Sequence, residues 1–110
     1  MEDPRPALEA ERARNERLLT EVERSMRDVS DARQDANSDD EHDPEGATLA
    51  WERGSLGAVR DGARLRVRQV DAALARLVDG SYGRCAVGGE PIPEARLAAV
   101  PWAATCVAHA

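Results

Sequence analysis

Near the C-terminus, two cysteines and a histidine fall at spacings that suit a metal ion. Four-ligand zinc sites are commonly built from two C-x-x-C knuckles about 15–20 residues apart, because each knuckle aims two sulfurs at one metal. Here the first knuckle reads Cys85-Ala86-Val87-Gly88 and the second Cys106-Val107-Ala108-His109. Gly88 occupies the missing ligand position, so the site is one side-chain ligand short. Two readings follow. In one, Cys85, Cys106 and His109 hold zinc as a partial ligand set, with water or a carboxylate such as Glu90 completing the tetrahedron. In the other, the segment folds without metal around Ile92, Leu97, Val100 and Trp102; Cys85 is then a small buried hydrophobe and His109 is exposed. Because glycine offers no ligand, the sequence predicts well under one zinc per chain. An open three-ligand zinc can be catalytic, but no general base is visible in so small a chain. The protein is expected not to be an enzyme.

A second constellation is the acidic run Asp39-Asp40-Glu41-His42-Asp43. Asp40 and Asp43 stand in a D-x-x-D spacing. The run lacks the 12-residue pattern with a central glycine that a calcium loop needs. Taken alone it is a solvated turn. Arg60, Arg64, Arg66 and Arg68 form a basic patch further on, expected to pair with acids such as Glu21, Glu23 and Asp28. Trp102 is expected to be core. Trp51, just after the acidic run, has little core to join and is a candidate partner contact.

These groups must be positioned by helices. Residues 1–6 read as a disordered lead-in, with Pro4 and Pro6 stopping any earlier helix. From Ala7 the pattern is helical. Leu19, Val22, Met26 and Val29 recur at spacings of three, four and three, a coiled-coil seam that extends backwards through Asn15 and Arg12. Residues 37–46 break the pattern with turn chemistry, including Pro44 and Gly46. Helical patterning resumes from Ala47 to Val78, where Leu49, Leu56, Ala63, Val70 and Leu77 repeat every seven residues and Val59 widens the stripe. Gly54, Gly57 and Gly62 each cost this helix roughly 1 kcal/mol relative to Ala, so it depends on a partner. Two such helices joined by a short acidic loop make an antiparallel hairpin over 7–78. Gly80 suits a left-handed helix cap, and 79–110 form the finger, with a short helix after Pro93. The fold class expected is all-α: a helical hairpin followed by a small degenerate zinc-finger module.

Composition agrees. At 110 residues with no Phe and 3% aromatics, a large globular core is excluded, while 33% charged residues suit long solvated helices. All 15 basic residues are Arg. The net charge of −6 argues against direct, specific DNA binding, which needs a basic footprint. An acidic chain matches a basic protein cleft instead. No apolar run follows Met1 and none approaches the ~18 residues a membrane span needs, so a cytoplasmic protein without membrane contact is expected. Two cysteines in a reducing compartment read as ligands or free thiols.

The tail closely resembles the finger of the DksA/TraR family, whose pattern is YGxCxxCGxxIxxxRLxAxPxAxxCxxC. Tyr82, Gly83, Cys85, Gly89, Ile92, Arg96, Leu97, Ala99, Pro101, Ala103 and Cys106 fall on it. Gly88 stands for the second Cys and His109 for the fourth. The resemblance implies a coiled-coil hairpin rooted in the finger and a partner, bacterial core RNA polymerase. It also implies that the acidic tip enters the polymerase secondary channel near the catalytic Mg²⁺. Asp40 and Asp43 match the family's D-x-x-D-x-A tip, flanked by Asp39 and Glu41, with Glu45 where the family has Ala. The expected function is therefore transcription regulation through polymerase binding. The alternative is a self-associating helical module, a homo-oligomer that does not bind polymerase.

Overall fold

Two prolines open the first helix instead of blocking it. In the computed structural model α1 spans Arg5–Asn37. Proline lacks an N–H, and the first-turn N–H groups have no helical partner anyway, so Pro6 forfeits nothing there. Asp3 supplies a cap: its carboxylate accepts the Arg5 N–H at 3.0 Å. The helix thus starts two residues earlier than the proline-terminated lead-in suggested. The same reasoning applies to α2, Pro44–Asp79, which begins at a proline and three residues before Ala47. The structure describes residues 2–37 and 44–110, with side chains for 2–32, 34 and 51–110. Asp39, Asp40, Glu41 and Asp43 lie outside the described residues. A short α3, Glu94–Ala99, and a 3-10 turn, Val107–His109, complete the elements. The fold is all-α, as expected from the periodicity. Among the described residues, no helix is long and apolar enough to cross a membrane.

The chain divides into two compact units, Asn15–Arg64 and Met1–Arg14 with Leu65–Ala110. In the first, α1 and α2 run antiparallel. Glu23 pairs with Arg64 at 3.5 Å, Arg60 reaches the Met26 sulfur at 4.0 Å, and Ser30 accepts a hydrogen bond from Arg53. Val22, Val29 and Ala63 are buried, and Leu19, Met26 and Leu56 are half-buried. Val59 is exposed, contrary to the widened stripe. Its neighbour Arg60 is the residue that lies against Met26.

The other unit holds the two larger clusters. Leu8, Val70 and Ala73 are buried together, with Leu74, Leu77, Tyr82 and Trp102 packed against them. Leu8 is seven residues before Asn15 and so continues the seam. The next inward residue is Glu11, 5% exposed, where the seam extension had pointed to Arg12. Burying a carboxylate requires a partner. Arg66 provides one at 3.0 Å, and Arg14 also contacts Glu11. The Arg66 guanidinium lies 3.9 Å over the Trp102 ring, so Trp102 joins the core with one face covered by a cation. Arg12 pairs with Asp71 at 2.7 Å.

At the end of α2, Gly80 adopts φ +86°, in the left-handed region where a Cβ is unfavourable. The N–H groups of Gly80, Ser81 and Tyr82 all converge on the Arg76 carbonyl, which satisfies the helix end and turns the chain into the finger.

Candidate metal centre

The finger is built from backbone turns around a small apolar cluster. Cys85, Ile92, Leu97, Ala103 and Cys106 are buried together, with Tyr82 and Val100 against them. Tyr82 belongs to both clusters of its unit, and its hydroxyl donates to the Pro101 carbonyl at 2.8 Å. The first knuckle is closed by Cys85 N–H to the Glu90 carbonyl at 2.7 Å and Gly89 N–H to the Cys85 carbonyl at 2.9 Å. Gly89, at φ +78°, makes that turn possible. Ala86 N–H donates to the Ala104 carbonyl at 2.8 Å, which docks the first knuckle on the segment leading to Cys106. His109 N–H returns to the Cys106 carbonyl at 3.1 Å, curling the second knuckle so that its histidine faces back.

These turns bring Cys85, Cys106 and His109 together, as their spacing implied, and add Glu90. One donor atom from each of the four lies within 4.8 Å of the others. His109 Nδ1 is 3.3 Å from Cys85 Sγ, 3.1 Å from Cys106 Sγ and 2.7 Å from Glu90 Oε1. Cys106 Sγ donates to Glu90 Oε1 at 2.8 Å. A tetrahedral zinc with bonds of about 2.0–2.3 Å separates its donors by roughly 3.3–3.8 Å. The donors, 2.7–3.3 Å apart, sit a few tenths of an ångström closer than that and would spread slightly around an ion; their chemistry suits zinc, whose usual donors are thiolate, imidazole and carboxylate. Zinc bound there would clamp the two knuckles together, and it would supply folding energy that so small a core lacks.

The electrostatics of the four groups are linked. Burial pushes the Cys85 thiol up, but N–H groups of Gly88, Cys106 and Val87 and the His109 ring outweigh it and bring the thiol down to about 7. His109 is held above its ordinary value chiefly by its bond to Cys85, against the opposing effect of burial, with Glu90 adding to the rise. Glu90 is lowered, first by accepting the Cys106 thiol proton. Cys106 is raised, first by that same bond. One thiol is thus poised for ionisation and the other is tied to a carboxylate.

Of the other sequence candidates, Trp51 is 74% exposed. Arg64 pairs with Glu23, while Arg66 is drawn to Glu11. Sequence reasoning did not single out Glu11 or the Arg66–Trp102 stack. The one available signal for the former was Leu8, whose heptad spacing to Asn15 and Val22 sets the inward register.

Residues 80–108 match the model of the prokaryotic dksA/traR C4-type zinc finger. Over 48 residues the chain is 50% identical to the RNA polymerase-binding transcription factor DksA of Caulobacter vibrioides, covering 44% of this chain and 34% of that protein. Over 68 residues it is 37% identical to general stress protein 16O of Bacillus subtilis, covering 62% of this chain and 42% of that one. The finger, residues 80–108, is thus of the dksA/traR type. A solved structure of transcription factor DksA2 from Pseudomonas aeruginosa shares the fold, with TM-score 0.55 and 24% identity, covering 93% of this chain and 78% of that one. The matches span less than half the length of these curated relatives. Within the DksA/TraR pattern of four cysteines, this finger keeps Cys85 and Cys106 and carries Gly88 and His109 at the other two positions.

Proposed function

We propose that this protein is a transcription regulator that binds core RNA polymerase, with the acidic-tipped α1–α2 coiled coil as the element inserted into the secondary channel. The observation that carries the reading is the finger itself. Residues 80–108 match the dksA/traR zinc-finger model, and a relative named as polymerase-binding is half identical over 48 residues. The charge supports it as well, since a −6 chain is suited to a positive channel. In this reading Asp40 and Asp43, with Asp39 and Glu41, act near the polymerase catalytic metal. Trp51, exposed on α2, packs on the channel wall. The protein works in the cytoplasm, as a regulator and not a catalyst, and makes no sequence-specific DNA contacts.

The test is retention of purified protein on immobilised core polymerase, paired with initiation assays in vitro. Salt-sensitive retention and altered initiation are expected. A stable homo-oligomer that ignores polymerase would overturn the reading in favour of a self-associating module.

A further inference from the structure

We propose that Glu90 is the fourth metal ligand of the Cys85, Cys106 and His109 site, and that the glycine at 88 is what lets it reach. This goes beyond the four-cysteine pattern of the family and does not depend on polymerase binding. The space at residue 88 carries the argument. A Cβ placed on Gly88 would overlap a Glu90 carboxylate oxygen, and would come within 2.8 Å of Glu90 Cδ and 2.7 Å of His109 Cε1. A ligand side chain projecting from residue 88 would therefore need the volume that the Glu90 carboxylate holds. Two residues along the same turn, Glu90 is fixed at its backbone by the Cys85 N–H at 2.7 Å. Its side chain touches two of the other three donors directly, Cys106 Sγ at 2.8 Å and His109 Nδ1 at 2.7 Å.

The donor set is then two thiolates, one imidazole and one carboxylate, all of which zinc accepts, with a carboxylate bond of about 2.0–2.2 Å. Replacing a thiolate by a carboxylate on a flexible stem gives a harder, less tightly held site. It closes the coordination sphere, so the centre is structural and leaves no open position for substrate.

The full chain would be tested with zinc and Co²⁺ as probes, reading affinity by chelator competition and ligand field by Co²⁺ visible absorption. With Glu90 as the replacement ligand, the native protein should bind one zinc per chain, in place of the well under one that Gly88 alone implies. Glu90→Gln should weaken zinc at least as much as the roughly 10–100-fold typical of losing an outer-shell partner, and should shift the Co²⁺ bands. Gly88→Ala keeps all four ligand residues unmutated and does not strain the backbone, since Gly88 is not among the positive-φ glycines. It should nonetheless weaken zinc at least as much, because its methyl displaces the Glu90 carboxylate and also presses on the His109 ring. Combining the two changes should cost less than the sum of the single losses, because both remove the same carboxylate. If Glu90→Gln does not fold, Glu90→Ala takes its place, with the same loss of zinc and the same shift of the Co²⁺ bands expected. Native protein that binds no zinc, or Glu90→Gln with native affinity and an unshifted Co²⁺ spectrum, would overturn the ligand assignment. Gly88→Ala with native affinity would overturn the role of the glycine.

Discussion

Replacing Arg66 by Met removes the cation that faces the buried carboxylate of Glu11 while keeping an apolar stem of similar length. Glu11 is 4% exposed at its side chain, Arg66 35%, and the pair is 3.0 Å apart. Breaking a buried ion pair by removing one partner costs about 3–5 kcal/mol. Two features lower that figure here. Arg66 is about one-third open to solvent, and Arg14 remains beside Glu11, although at 70% exposure its hold is screened. About 2–3 kcal/mol for the pair, plus about 0.5–1 kcal/mol for the lost stacking on Trp102, gives roughly 3 kcal/mol. For a domain near 100 residues each kcal/mol shifts Tm by about 4–8 °C, so a fall of roughly 12–24 °C is expected. Urea and thermal melts of Arg66→Met, Glu11→Met and the double variant form the cycle. The double variant should regain most of the loss, because two apolar side chains leave no charge stranded. A loss below about 0.5 kcal/mol in Arg66→Met, or a double variant as weak as the sum of the singles, would refute the reasoning.

Further outcomes follow from other contacts. Val22→Asp with Met26→Asp places two charges on the inward face of α1 and should collapse helicity; unchanged far-UV circular dichroism would contradict the paired-helix arrangement. Tyr82→Phe removes the hydroxyl that serves the Pro101 carbonyl and should cost about 1 kcal/mol in urea melts, leaving helix content intact. Asp40→Asn with Asp43→Asn should shift stability by no more than about 0.5 kcal/mol and leave polymerase retention largely in place while weakening the effect on initiation. Equal regulation by parent and variant would remove the acidic run from the mechanism.

The finger was legible residue by residue because its turns admit few substitutes. Gly80, Gly83 and Gly89 all take positive φ, and Leu97 and Ile92 are both buried. The seam from Leu19 to Val29 was legible for a different reason, since apolar spacing alone sets it. What the sequence hid lies where polar residues are buried. Glu11 sits inward with Arg66 reaching to it from α2, a pairing 55 residues apart that no local pattern encodes. Glu90 was visible as one possible completing carboxylate, but its fit into the space beside Gly88 depends on the turn that Gly89 creates. The helix starts were misjudged at Pro4, Pro6 and Pro44, because proline is a breaker inside a helix and a good opener at its first turn.

The two indoles differ sharply in surroundings, and each belongs to a different unit. Trp51 stands in water, whereas the Trp102 ring is capped by a guanidinium and packed on Leu8, Val70 and Ala73. With no other tryptophan in the chain, the protein carries a built-in pair of optical reporters. With excitation selective for indole over the single tyrosine, Tyr82, a Trp51→Phe variant reports only on the finger-bearing unit, and a Trp102→Phe variant only on the unit containing Asn15–Arg64. Added partner or metal that changes one emission and not the other names the unit it engages, without any attached dye.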